Sequence, residues 1–290
     1  MSVFVQHQHS VCDFTGSDSW VILSEIEQSI KRKIEAVGTP LKDWDIQINY
    51  GIKTGYNDAF IITTEKRDEI IANCADDDER NRTAELIRPI LRGRDIKRYG
   101  YDWAGLWLIN THNGVKGVKP RIDINDYPAV KQHLDKYWDK ISKRADKGDT
   151  PYNLRNCAYV DDFNQPKIVW KRVGSILRFA YDKEGLFALD STCFAIGSYV
   201  SYLVCILNSS MGHYLLQNAP KTGTGDLLIS VQAIEPLLIP VPDNSTMKLL
   251  KYMVSSDEIP DDSRINAIIY EMYKLSADEI RHVEICVSDD

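Results

Sequence analysis

Leu23, Ile26, Ile30, Ile34 and Val37 recur at helical spacing until Gly38 and Pro40 end the run, predicting a helix capped at Ser17 or Asp18. From Asp45 to Tyr50, Ile46, Ile48 and Tyr50 alternate with polar residues, the pattern of a half-buried strand. The loop Gly51-Ile52-Lys53-Thr54-Gly55-Tyr56-Asn57 follows, then a second strand, Ala59 to Ile62, and a helix from Thr64 to about Cys74. Leu106 to Ile109 is a further strand, and Tyr127-Pro128 opens a helix burying Val130, Leu134, Tyr137 and Ile141. Beyond Lys167 the chain reads as an antiparallel meander: Lys167 to Trp170, Leu177 to Tyr181, Leu186 to Leu189 and Thr192 to Ile196, with Lys183-Glu184-Gly185 as a hairpin turn. A helix from Tyr199 to about Gln217, an apolar strand at Leu237 to Val241 and a helix from Asp262 to Leu275 complete the pattern. A last helix opens on the capping box Ser276-Ala277-Asp278-Glu279.

These elements predict a mixed α/β (α+β) protein in which a central antiparallel or mixed sheet carries flanking helices and a small C-terminal helical tail. The expected division is a helical lead at 1–44, a central sheet-containing region at 45–242 and an acidic helical tail at 243–290. With 290 residues, 43% of them hydrophobic, the chain is long enough for a substantial core.

Charge sharpens this picture. The formal net charge is -7, but from Asp243 onward eleven acidic residues face five basic ones, so the remainder is close to neutral. Within that remainder Arg80, Arg82, Arg88, Arg92, Arg94, Lys97 and Arg98 crowd together, interrupted only by Glu85 and Asp95. Such a segment is either a solvated basic surface or a face that meets phosphate. Pro89 and Gly93 within it predict a bent, exposed loop or short helix end rather than continuous helix.

Other motifs take their meaning from this segment. The Gly51–Asn57 loop offers one cation and three hydrogen-bonding side chains between glycines that permit close backbone approach; by itself it is equally a strand connector. Trp170 beside Lys171 and Arg172 is either a core tryptophan with solvated neighbours or part of a positive surface, and Lys221-Thr222-Gly223-Thr224-Gly225 is a flexible polar loop. Neither the Gly-x-x-x-x-Gly-Lys-Ser/Thr nor the Gly-x-Gly-x-x-Gly nucleotide pattern occurs. Asn-Pro-Pro-Tyr, Phe-x-Gly-x-Gly and a Pro-Asp…Glu-x-Lys carboxylate set are also missing, so the chain shows no catalytic residues. The six cysteines form no Cys-x-x-Cys pair, which fits reduced thiols and neither zinc nor disulfides. With no signal-peptide core and no apolar run long enough for a bilayer, a cytoplasmic location is expected.

Taken in order, Gly51 to Ile62, Leu86 to Tyr99, Tyr127-Pro128-Ala129-Val130-Lys131, Pro166 to Trp170, Phe187 to Asp190, Leu203 to Ser209 and Ile269 to Ile280 resemble the TaqI-like C-terminal specificity region. That region belongs to adenine methyltransferases and fused type IIG restriction-modification enzymes. The resemblance implies a target-recognition domain that reads duplex DNA while a separate domain, bound to S-adenosylmethionine, methylates an extruded adenine. It further implies that this chain, lacking the catalytic motifs, is not an enzyme by itself. The chain is then an excised portion or a specificity subunit that works with a methyltransferase, with or without a nuclease, in cis or as a partner.

Three groups of residues are expected at the DNA on this reading. Arg88, Arg92, Arg94, Lys97 and Arg98 hold the backbone or a guanine edge; Lys53, Thr54, Tyr56 and Asn57 lie near the groove; Lys171, Arg172 and Lys221 extend the positive surface. Two other classes remain open from the residues: a divergent metal-dependent nuclease, and a module that docks an acidic protein surface. No cofactor or metal is expected on this chain.

Overall fold

The computed structural model describes residues 23–256 and 260–288. Two four-stranded sheets organise the chain. The first has the order Ile46–Tyr50, Thr192–Gly197, Lys167–Lys171, Phe179–Asp182, with every neighbour antiparallel. The second has the order Ile61–Thr63, Leu106–Ile109, Ile87–Leu91, Phe187–Ala188, and its last pairing is parallel. The mixed α+β class expected from the pattern is therefore the class observed.

The first sheet lies between two hydrophobic cores, and the side-chain period of two divides it. Ile168, Trp170, Cys193 and Ala195 face one core, which they share with the wholly buried helix Val200–Asn208, the first described helix (Glu25–Val37) and the C-terminal helices. Val169, Phe194 and Ile196 face the other, with the second sheet and the helix Pro128–Asp135. Burial on both sides explains why these strands read as continuous apolar runs.

Several elements depart from the sequence expectation for local reasons. The caps expected at Ser17 or Asp18 lie outside the described residues; the described helix begins at Ser24, whose capping box with Glu27 is complete. Ala59 and Phe60 close a short helix, Asn57–Phe60, before the strand Ile61–Thr63 begins. The basic segment is not an exposed bend in its first half. It runs as the helix Asp77–Leu86, whose N-terminus is favoured by Asp76 as cap and by Asp77, Asp78 and Glu79 in the first turn, and then as the strand Ile87–Leu91. Pro89 sits within that strand opposite Trp107, and the burial of Ile87, Ile90 and Leu91 outweighs its missing donor. The expected meander is split: Phe187–Ala188 leaves the first sheet and joins the second beside Ile90 and Leu91. The helix expected from Tyr199 to Gln217 breaks at Ser209, which caps a second helix, Ser210–Leu216, through the Gly212 N–H.

One buried ion pair lies within the first sheet, at the end where the chain leaves it for the second. Lys167 and Asp182, both 0% exposed, are cross-strand partners 2.5 Å apart. Lys167 also donates to the Phe163 carbonyl, while Asp182 accepts the backbone N–H groups of Glu184, Gly185 and Leu186. Asp182 thereby shapes the turn that delivers Phe187 to the second sheet. Burial lowers the Lys167 pKa, and the neighbouring carboxylate opposes that shift.

A second carboxylate fastens the first helix to the last. Glu279 accepts from Lys33 at 2.5 Å, from Ser29 at 2.7 Å and from the Ser276 N–H at 2.6 Å. Burial alone would raise its carboxyl; these donors overcome burial and hold it at about 2.

Replacing Asp182 with Ala leaves a buried ammonium unpaired and is expected to cost about 3–5 kcal/mol in urea unfolding, more than the double change Lys167→Met with Asp182→Leu. Because the folded-state Glu279 pKa lies below its unfolded value near 4.5, its contribution is complete above that value and is lost as pH falls toward about 2. Glu279→Gln should therefore reduce stability by roughly 2–3 kcal/mol at neutral pH and flatten the acid-unfolding profile across that window.

Candidate nucleic-acid interface

The loops at one edge of the two sheets are built around close backbone contacts. A Cβ at Gly51 would stand 2.0 Å from the Leu189 carbonyl oxygen, so only glycine fits where Ile52 donates to Ala188 and accepts from the Asp190 N–H. Gly55, at φ +71, lies against the backbone of Asp146. Between them Thr54 is 1% exposed: its hydroxyl donates to Asn57 Oδ1 at 2.5 Å and accepts the Tyr56 N–H, and its carbonyl accepts from Arg144. Thr54 thus holds the loop together from within. Tyr56 is half-buried against Tyr137, and Asn57 is exposed at the start of its short helix.

Arg144 was not singled out by sequence. It lies 4.3 Å over the Phe60 ring and donates to the carbonyls of Thr54, Pro151 and Asn153; burial pushes its pKa down to about 10, so it stays charged at neutral pH. Its task is to join the Gly51–Asn57 loop to the irregular stretch at 144–157. That stretch brings in Asp146, which bonds Lys53 at 2.7 Å and Arg155 at 3.2 Å. The Lys53 hydrogen bond, aided by the charges of Lys53, Arg155 and Arg144, keeps the Asp146 carboxyl below its ordinary range.

The basic segment sorts into paired and unpaired cations. Arg92 grips Asp95 with Nε and Nη2, at 3.0 and 2.7 Å, and Asp95 is 4% exposed. Lys97 pairs with Asp102 at 3.2 Å. Arg98 pairs at 2.9 Å with Asp262, which also accepts from the Tyr99 hydroxyl at 2.7 Å. Arg98 therefore faces the C-terminal helices. Arg88 donates to Asn164 and lies 5.9 Å over the Phe187 ring. Arg94 is exposed and has no ion pair among the described residues.

Arg94 opens onto a continuous rim. Ser191 links it to Lys171 and Arg172, because the Ser191 hydroxyl accepts the Gly93 N–H and its carbonyl accepts the Arg172 N–H. The Lys171 side chain passes over Gly93 and reaches Gly174. Val173–Gly174 pairs with Leu227–Leu228, and Lys221 bridges to Leu227, so the Lys221–Gly225 loop adjoins the same edge. Arg172, 5.9 Å over the Tyr50 ring, shares a cavity of about 310 Å³ with Lys53, Arg155, Asn156, Cys157 and Asp190. Asn156 and Cys157 also line the next cavity, of about 830 Å³, whose wall is the turn at 113–121. Burial pushes the Cys157 thiol up to about 11, so it is not a thiolate nucleophile at neutral pH.

The structure thus brings Lys53, Arg94, Lys171, Arg172 and Lys221 onto one edge and leaves Thr54, Arg92, Lys97 and Arg98 engaged within the protein. Arg155 and Asn156, which line the smaller cavity, and Lys116, in the turn at 113–121, escaped the sequence reading. They lie in irregular stretches without a motif, and no local pattern singles them out. Among the described residues, no group of three or more His, Cys, Asp or Glu side chains is placed to hold a metal ion.

One sheet between two cores, a second sheet beside it and cations gathered on loops at one edge make up a mixed α/β domain. The chain belongs to the TaqI-like C-terminal specificity domain family, whose model matches residues 88–237. That span contains Arg88, Arg92, Arg94, Lys97, Arg98, Lys171, Arg172 and Lys221, and leaves the Gly51–Asn57 loop outside it. Two solved enzymes share the fold. The type IIL restriction-modification enzyme MmeI, solved in complex with DNA, has a TM-score of 0.60 at 12% identity and covers 85% of this chain and 36% of its own. The type IIG restriction endonuclease BpuSI has a TM-score of 0.56 at 13% identity, over 90% of this chain and 33% of its own. The chain therefore spans about a third of the length of these enzymes. No curated protein sequence matches it.

The pairing pattern separates neighbouring arginines by their effect on folding. Arg92→Ala strands the buried Asp95 carboxylate and is expected to cost about 2 kcal/mol in thermal or urea unfolding. Arg94→Ala, two residues away, is expected to leave the melting temperature unchanged.

Proposed function

We propose that this chain is the DNA target-recognition part of a restriction-modification adenine methyltransferase. In this reading it holds and reads duplex DNA while a separate domain that binds S-adenosylmethionine, in cis or as a partner chain, methylates an adenine turned out of the helix. The observation that carries the proposal is the placement of Arg94, Lys171 and Arg172 along one edge, the first two exposed and Arg172 half-buried, none of them in an ion pair among the described residues. Unpaired cations on a surface of this protein, acidic overall, are an arrangement suited to a phosphate backbone.

Membership of the specificity-domain family supports the reading, as does the fold shared with MmeI, a restriction-modification enzyme solved on DNA. Lys53 and Arg155 extend the edge, already half-neutralised by Asp146 and therefore better suited to orientation than to bulk charge. The cavity among Lys53, Arg155, Asn156 and Asp190 offers both donors and acceptors at the scale of a base edge.

Salt dependence tests this directly. Each phosphate contact contributes about 0.9 to the slope of log affinity against log salt, so replacing Arg94, Lys171 and Arg172 together with Ala should lower the slope by roughly 2–3 on a mixed-sequence duplex. Arg98→Ala, which removes a contact to Asp262, should leave the slope unchanged. A triple variant with the wild-type slope and affinity would remove this edge from DNA binding.

A further inference from the structure

The turn at 113–121 is not absorbed by the cationic edge, although it forms the wall of the adjoining cavity. Val115 and Lys119 exchange backbone hydrogen bonds at 2.8 and 2.9 Å, and the Val118 N–H closes the turn onto the Val115 carbonyl at 2.9 Å. Gly114 and Gly117 have φ of +73 and +76, a backbone that side chains disfavour, and a Cβ at Gly114 would meet the Lys119 carbonyl at 2.5 Å. The outcome is a tight, preset hairpin. At its end Val118 is 81% exposed, more than any other large apolar side chain among the described residues.

An isolated exposed valine is ordinary on a protein surface. This one stands among cations. Lys116 precedes it without an ion pair among the described residues, Lys119 follows it in contact with Asp161, and Arg121 pairs with Asp149 at 3.4 Å. Asn156 and Cys157 join the Val118 turn to the cavity that holds Lys53, Arg155 and Arg172. An apolar tip flanked by lysines and continuous with a cationic edge is complementary to a groove whose walls are phosphate and whose floor carries a methyl group.

Resting on the DNA-binding reading above, we propose that Val118 is a specificity-determining residue that packs against the C5-methyl group of a thymine in the major groove. Its two methyl groups sit on a stiff, β-branched side chain at a fixed turn, which suits contact with a single methyl group. Lys116, which has no ion pair among the described residues, sets the depth of the turn by reaching an adjacent phosphate, while Lys119 stays with Asp161 and anchors the base of the turn.

Deoxyuridine supplies the test, because it differs from thymidine only by that methyl group. Duplexes retained by the wild-type chain are first selected from a random pool, and each thymine of the selected site is then replaced by deoxyuridine. The wild type should lose about fourfold in affinity at one position. Val118→Ser should bind the thymine duplex about that much more weakly and show no further loss on the deoxyuridine duplex. Wild-type and Val118→Ser chains that respond alike to every deoxyuridine would overturn the proposal, as would a Val118 effect confined to DNA bending. Failure of the wild type to retain any sequence would instead sink the DNA-binding reading itself. Val118 makes so little contact that the serine variant is expected to fold, and an unchanged melting temperature confirms this before binding is measured.

Discussion

The structure depends on the Lys167–Asp182 pair. An ammonium and a carboxylate without exposure at adjacent strand ends are tolerated only because each finds further partners, the Phe163 carbonyl on one side and three successive backbone N–H groups on the other. The Asp182 oxygens fold the chain from Asp182 to Leu186 so sharply that Phe187 enters the second sheet instead of returning along the first. From that handover the chain passes Leu189, Asp190 and Ser191 before rejoining the first sheet at Thr192, and these residues touch Gly51, Ile52, Gly93 and Arg172 in turn. The cationic edge is therefore assembled by the same crossing that joins the two sheets.

Rigid support and exposed charge are divided between neighbours in this arrangement. Arg92 and Arg94 lie two residues apart, yet one is a bidentate clamp on a buried carboxylate and the other projects into solvent. Arg144, with its guanidinium on three carbonyls and against a phenylalanine ring, fixes a loop with no carboxylate partner in hydrogen-bonding contact, whereas Arg155 nearby remains accessible beside Lys53. A cation held by an internal carboxylate has little field left for a ligand, while one on a fixed backbone without such a partner keeps its charge for an incoming anion. Arg98 and Asp262 apply the same chemistry to a different end, joining the basic segment to the acidic C-terminal helices.

Much of the fold was legible from periodicity. The strands at Ile46–Tyr50, Leu106–Ile109, Lys167–Lys171 and Thr192–Gly197 and the helices opening at Thr64, Asp262 and Ser276 all form where the sequence places them, because alternation, short apolar runs and capping residues are local properties. The strand nature of Ile87–Leu91 was hidden by Pro89 and by surrounding arginines, and it emerges from pairing with Leu106–Ile109. The break at Ser209 was hidden likewise, since Gly212 must approach the Ile206 carbonyl, a contact that no local pattern announces.

By itself the sequence determined that this protein is a mixed α/β chain with a concentrated basic segment set against an acidic C-terminal region, and the order of its motifs identified the family. Only the tertiary structure decided which of those cations are available. Ion pairing depends on separations of a few ångströms between residues such as Arg98 and Asp262, 164 positions apart, and linear spacing carries no measure of that distance.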